Sequence, residues 1–283
     1  MPTIVFILSA NRSGSTWLGY VLGSHSPCAF VGEYFRGWSP ELKRPCAWCL
    51  GSGRETCPVL DGIEQVACED AYRFAFARLR KPWIADTSKF PSWAERFVAQ
   101  QGEFDIRFVH LVRDPRGWLA SEKRRFTRDV PALLRSWCDS NRDISRFLRQ
   151  SGLCGIRVFY DEISSRPFEE FPALCRFLGF DFEPQALCYW RHEHHGFGAN
   201  GASSVFLKRL RYADKIEHLV TCDDSFYAAR GESLFCDERW KSQLSGEEKQ
   251  FIEASEEIAG VLRDYGRALT EDGLRRLDPE APL

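Results

Sequence analysis

Nothing in this 283-residue chain is long and apolar enough to cross a membrane as a helix, since that takes about 20 consecutive apolar residues. Nor does it open like a secretory leader. Met1-Pro2-Thr3 carries no basic residue, and the apolar run behind it stops at Asn11-Arg12. A cytoplasmic protein without a membrane span is expected. Charge of one sign is lacking too. A formal net charge of -2 provides no field with which to coat nucleic acid, so nucleic acid is not an expected partner and any basic site has to be local. Two familiar phosphate loops are missing. There is neither the Gly-x-Gly-x-x-Gly turn of dinucleotide-binding folds nor the longer Gly-x-x-x-x-Gly-Lys-Ser/Thr loop of nucleoside triphosphatases. No internal repeat is visible.

What is present is an ordinary globular composition, 44% hydrophobic and 28% charged, with length for a substantial core. One domain over residues 1–283 is expected, with a Cys-containing excursion at about 36–60 where periodicity fades. Strands are expected at 3–9, 82–85, 106–112 and 155–160, with a shorter one at 30–35. Helical patterns fall at 16–24, 62–80, 90–101, 117–125, 131–150 and 167–178, a loop at 190–204, and an amphipathic helix at 245–270. Strands alternating with helices at these spacings predict an α/β fold in three layers, a central parallel β-sheet flanked by helices.

Two strand ends carry anion chemistry. The apolar run Ile4–Leu8 feeds Asn11-Arg12-Ser13-Gly14-Ser15-Thr16, where a tight turn and a helix start line up backbone N–H groups. Arg12 adds planar charged donors. A plain helix cap on Ser13 or Ser15 is the simpler alternative. It leaves unexplained an arginine at the carboxyl end of a strand, where ligands bind in open α/β sheets. Phe108–Val112 ends likewise in Arg113-Asp114-Pro115-Arg116-Gly117. Two such ends predict a ligand with two separate anionic groups.

Arg12-Ser13-Gly14-Ser15-Thr16-Trp17-Leu18 resembles the 5′-phosphosulfate loop of the sulfotransferases, and Leu111–Gly117 running on to Ser121 resembles their 3′-phosphate motif. Asp86-Thr87-Ser88-Lys89 is similar to a Ser-Lys segment of bacterial and carbohydrate-type members. His195-Gly196 with Gly198 and Asn200 resembles a late His–Gly-Asn loop, and Asp237 with Trp240 an Asp-x-x-Trp pattern near the chain end. The resemblance is closer to those members than to the small-molecule cytosolic ones. It implies a P-loop-like nucleotide-binding core. It also implies transfer of a sulfuryl group from 3′-phosphoadenosine 5′-phosphosulfate (PAPS) to an acceptor hydroxyl, on a sugar or small natural product, in line and with a general base. The product nucleotide is 3′-phosphoadenosine 5′-phosphate (PAP). Donor-binding residues by this resemblance are Arg12, Ser13, Gly14, Ser15, Thr16, Trp17, Arg113, Ser121, His195 and Asn200, with His195 and Asn200 on a loop closing over the nucleotide. Arg12 and Lys89 are placed at the departing oxygen. Ala199 departs from the pattern, and Lys208, Arg209 or Arg211 is expected to replace a basic residue missing after it.

Glu33 is the candidate general base, because bacterial and carbohydrate-type members carry a Glu in about this place. His110, His194 and His195 compete for the role. Cys46-x-x-Cys49 with Cys57 has zinc-knuckle spacing, and Cys28, Cys68 or His25 would have to complete the shell. Reduced packing thiols without a metal are the reading expected for that segment, with zinc and a disulfide as its alternatives. Tyr34, Phe35, Trp38 and Trp48 are expected to wall the acceptor site, with Arg36, Lys43, Arg44, Lys123, Arg124 and Arg125 as a basic rim. The rival functions are a nucleotide or nucleoside kinase, with Asp86 as its magnesium-binding acid, and a non-catalytic nucleotide-binding module. A homodimer stays open.

Overall fold

The computed structural model describes residues 1–278 apart from 39–45, 47, 50–53, 58–59, 125–128, 199 and 213–222. Its centre is β1 (Thr3–Leu8), six consecutive buried residues. A strand buried on both faces reads as a continuous apolar run, and that is what a central parallel strand requires. β2 (Cys28–Gly32), β3 (Trp83–Lys89), β4 (Asp105–Val112) and β5 (Gly155–Phe159) complete a parallel sheet of order β2-β3-β1-β4-β5. The expected α/β architecture, a parallel sheet flanked by helices, is the one that forms.

Two helices follow the arginine-bearing strand ends, α1 (Ser15–Gly23) after β1 and α4 (Pro115–Lys123) after β4. Between them in sequence lie α2 (Ala71–Leu79) and α3 (Pro91–Val98). Next come α5 (Val130–Ser151), α6 (Tyr160–Ser165), α7 (Pro167–Leu178), α8 (Gly201–Tyr212), α9 (Ser225–Ala228), α10 (Trp240–Gln243), α11 (Gly246–Glu253) and α12 (Glu256–Asp264). β1 and β4 are neighbours, with Leu8 opposite His110, while the chain leaves them toward opposite edges of the sheet. That is a topological switch point, where the connecting loops part and leave a crevice.

Register slips at two strand ends shape the site. β3 gains a residue against β1 between the pairs Phe6–Asp86 and Leu8–Lys89, and β2 gains one against β3 between Phe30–Ala85 and Gly32–Asp86. An extra residue bends a strand and re-aims the side chains after it. Lys89 finishes with φ 70°, and the chain leaves β2 at Glu33.

Several sequence expectations shift. The pattern at 62–80 resolves into short 3-10 turns followed by α2. The predicted loop at 190–204 gives way to α8 from Gly201. The single helix at 245–270 is α11 and α12 separated at Ser255, whose hydroxyl caps the second by accepting from the Ile258 N–H. A hairpin, β6 (Arg267–Thr270) and β7 (Gly273–Arg276), follows. It is tied to the body by the fully buried Arg116. That guanidinium pairs with Asp114 at 2.7 Å, donates to the Thr270 carbonyl at 2.8 Å and stacks on Trp240 at 4.1 Å.

Candidate functional site

The turn after β1 needs left-handed backbone twice, at Arg12 (φ 66°) and at Gly14 (φ 95°). Gly14 is also required sterically, since a Cβ there would sit 2.4 Å from the ring of Tyr160. Gly14 caps α1 without a side-chain bond, so the amides of the helix's first turn are not covered by a capping side chain and remain available to an anion.

Arg113 leaves β4 beside this turn. Its guanidinium donates to the Arg12 carbonyl at 3.0 Å, pairs with Asp237 at 3.1 Å and lies 4.8 Å from the centre of the Tyr160 ring. It is buried, and its Nε is a donor without a partner. A buried orphan donor costs about 1–3 kcal/mol, which an oxyanion would relieve. Asp237 is held well below the usual carboxylate range: burial opposes this, but the Arg239 and Arg113 guanidiniums outweigh it.

Arg12, Gly14, Ser15, Thr16, Trp17, Arg113 and Ser121 line one cavity of about 520 Å³, together with Glu33, Lys89, Arg36, Arg124, Asn200 and Arg239. Among the described residues its charged lining is six cations (Arg12, Arg36, Lys89, Arg113, Arg124, Arg239) against three carboxylates (Glu33, Glu122, Asp237). In a protein of net charge -2 this is a concentrated positive pocket.

On the same lining, Glu33 accepts from both Lys89 and Arg36. Burial alone would raise the Glu33 carboxyl, but the two cations prevail and hold it below its ordinary value. Burial pulls the Lys89 ammonium down against the attraction of Glu33. The pair is therefore ionised and poised, each partner depending on the other.

A family model described as "Sulfotransferase family" matches residues 2–184. The chain belongs to the sulfotransferase family. Solved structures agree in fold. The sulfotransferase domain from the curacin biosynthetic pathway matches with 19% identity and a TM-score of 0.53, over 89% of this chain and 96% of that one. The sulfotransferase domain of the Synechococcus PCC 7002 olefin synthase gives 18% and 0.53, over 95% and 96%. Mouse sulfotransferase SULT7A1, solved in complex with PAP, gives 15% and 0.51, over 93% and 85%. No curated protein sequence matches. The chain is thus a sulfotransferase, and the expected likeness to bacterial members stands.

Within this sulfotransferase the other expected residues sort clearly. Asn200 comes to the loop: its N–H donates to Thr16 Oγ1 at 3.2 Å and its amide to the Tyr227 hydroxyl at 3.2 Å. Ser13 lies buried beneath the turn, and its hydroxyl, without a partner, does not line the cavity. His195 is a correction, for it lies away from the cavity. Its Nδ1 faces Cys46, Cys49 and Cys57 at 3.4, 3.4 and 3.5 Å. Cys28, Cys68 and His25 do not join that group. Lys208, Arg209 and Arg211 also fail to reach the cavity; Arg209 pairs with Asp224 and Arg211 stacks over Trp48. Arg239 occupies the cavity wall instead. Ala199, Lys43, Arg44 and Arg125 lie outside the described residues.

The rival bases are out of reach. His110 is completely buried, donating to Asn141 at 3.0 Å and facing Arg157. His194 is buried against Tyr20 and bonded to the Tyr189 carbonyl. Asp86, the acid a kinase would need, is fully buried and engaged by Tyr72, Ser88 and Trp93. It has no face on the cavity.

The expected aromatic wall is also corrected. Tyr34 and Trp48 are buried, Tyr34 bonding Ala71 and Trp48 bonding Glu193. Neither they nor Phe35 and Trp38 line the cavity; its aromatics among the described residues are Trp17, Tyr20, Trp118, Tyr160, Tyr189, Phe226, Tyr227 and Phe235. Sequence reading passes over Phe226–Phe235 because that stretch has no periodicity. The arginine at 239, inside the Asp-x-x-Trp pattern, was the available signal.

Proposed function

We propose that this sulfotransferase takes PAPS as donor, releases PAP, and acts on a hydroxyl of a sugar or small natural product. The observation that carries the reading is the bond from Arg113 to the Arg12 carbonyl, which joins the two anion-bearing strand ends into one cation-rich cavity. The mouse relative of the same fold is described as complexed with PAP, which supports the nucleotide assignment.

PAPS supplies a sulfuryl group already activated for transfer. Arg12 and the amides of Gly14, Ser15 and Thr16 would hold its 5′ end, and Arg113 with Ser121 its 3′-phosphate. Trp17 and Asn200 flank the same loop. Arg12 and Lys89 offer donors where negative charge grows on the departing oxygen, the effect that contributes most in such reactions. Glu33 is the base that takes up the acceptor's proton on a carboxylate oxygen. An anion in the cavity competes with Glu33 for the Lys89 ammonium. Glu33 then loses a cation that depresses it and keeps the burial that raises it, so its basicity increases when the donor site is filled.

A cytoplasmic location is part of the proposal, supported by the described cysteines, none of which is in a disulfide. So is a single domain over residues 1–283. The test is calorimetry with PAP against ATP-magnesium, followed by an acceptor screen with labelled PAPS. PAP at 100 times its Kd should stabilise the fold by about 2.7 kcal/mol without metal. Tighter binding of ATP-magnesium than of PAP would overturn the reading.

A further inference from the structure

Four residues from two distant parts of the chain converge outside the proposed donor cavity. Cys46, Cys49 and Cys57 belong to the excursion after β2, and His195 to the loop before α8; their ligand atoms all lie within 4.8 Å of one another. We propose that Cys46, Cys49, Cys57 and His195 form a structural zinc site that clamps these two segments together behind Glu33.

Geometry separates this from the alternatives. A tetrahedral zinc with Zn–S of about 2.3 Å and Zn–N of about 2.0–2.1 Å sets nitrogen and sulfur about 3.6 Å apart. The three separations here are 3.4, 3.4 and 3.5 Å. An imidazole nitrogen has one proton or one lone pair, so three sulfurs equally near Nδ1 exceed what hydrogen bonding can use. A disulfide would engage two sulfurs and give no reason for the third or for the histidine. One cation at the centre accounts for all four.

The surroundings fit as well. His195 turns its other nitrogen, Nε2, toward Glu193 at 3.5 Å. A carboxylate behind a histidine fixes the tautomer and orientation that a metal needs. Glu193 is itself held by the Trp48 indole at 2.8 Å and lies 3.7 Å from Arg54. The Cys49 N–H donates to Cys46 Sγ at 3.4 Å, as an amide does to a thiolate within a tight Cys-x-x-Cys turn. Three thiolates and one dication leave a single negative charge, and Arg54 stands beside it. Binding releases the cysteine protons to solvent.

The clamp reaches the catalytic side through the backbone. Two residues after His195, Phe197 donates to the Val31 carbonyl at 3.0 Å and accepts from the Glu33 N–H at 2.7 Å. Gly32 permits this approach, since a Cβ there would lie 2.0 Å from the Phe197 oxygen. Fixing His195 therefore fixes the strand end that presents Glu33, while Arg12 and Arg113 stand on other elements.

Metal content is measured without activity and so does not depend on the proposed reaction. Protein purified without chelator is expected to hold one zinc per chain by elemental analysis. Cobalt exchange is expected to give the visible d–d bands and near-ultraviolet thiolate charge transfer of a tetrahedral site. Cys68→Ser should leave both unchanged, and His195→Cys should retain the metal with an altered cobalt spectrum. Glu193→Gln should weaken zinc binding by about 10–100-fold. Substoichiometric zinc together with no cobalt spectrum in the wild-type protein would overturn the site, as would a Cys46–Cys49 disulfide found by mass spectrometry of the unreduced protein. If the clamp acts through Glu33, chelation should lower kcat while PAP affinity stays within about threefold; unchanged kcat in verified metal-free protein would remove that link.

Discussion

Replacing Arg12 with glycine should separate catalysis from stability. Arg12 sits at φ 66°, a conformation that costs an L-residue about 1–2 kcal/mol and that glycine enters freely. Glycine in turn loses about 0.5–1 kcal/mol more backbone entropy on folding. The Arg12–Glu122 pair is long, at 3.9 Å, but Glu122 is buried, and losing a cation from a buried carboxylate costs about 1–3 kcal/mol. The carbonyl that Arg113 uses is main chain and survives the substitution. Relief of the left-handed backbone offsets part of that loss, so the variant should stay folded with a melting temperature lower by no more than about 8 °C. The rate should not be spared. Losing a charged donor at the departing oxygen costs about 10²–10³ in kcat, or about 2.7–4 kcal/mol. Thermal melting and turnover of labelled PAPS at saturating acceptor measure the two quantities on the same preparation. A kcat within tenfold of wild type, in protein that melts cooperatively, would refute the role given to Arg12.

Gly14→Ala should destabilise the fold by about 1–3 kcal/mol and weaken PAP binding in calorimetry, because its methyl would enter the Tyr160 ring at a left-handed φ; unchanged PAP affinity would contradict the loop assignment. Glu33→Gln should lower kcat by about 10²–10⁴ with PAP affinity kept within about threefold, and a normal kcat would return the base role to another group. Since Lys89 and Arg36 hold the free Glu33 carboxyl below its ordinary value of 4.5, kcat/KM should stay flat as pH falls from about 8 to about 5; an acid limb near pH 6–7 would indicate a histidine. Burial, reinforced by Arg157, pushes His110 down from 6.5 to about 3. The folded state thus keeps it neutral while the unfolded chain takes up a proton. Stability from this group is complete above pH 6.5 and falls by about 1.4 kcal/mol per pH unit from there toward pH 3. Urea titrations of wild type and His110→Gln should differ in that window, and parallel curves would refute the assignment.

The turn after β1, the strand ending at Arg113 and the alternation of strands with helices were all legible in the sequence. Each is local: an apolar run, a glycine that accommodates a left-handed turn, a proline at a helix start. His195 shows where such reading stops. Its neighbours Gly196 and Gly198 match a nucleotide loop, yet in the folded chain it sits among three cysteines about 140 residues earlier. The aromatic wall moved for a related reason. Tyr34 and Trp48 lie close to Glu33 in sequence, but burial of their rings is satisfied by the core, and rings from the 226–235 stretch fill the cavity side instead.

The strands and the turns at Arg12 and Arg113 were set by the order of residues alone, because apolar runs and turn geometry depend on neighbours in the chain. Folding in three dimensions was needed to bring Lys89 to Glu33, Arg113 to Asp237, and His195 to the cysteines. One extra residue at the end of β2 and another at the end of β3 redirect the chain beyond them. Side chains more than a hundred residues apart then meet or miss according to how those strand ends are packed.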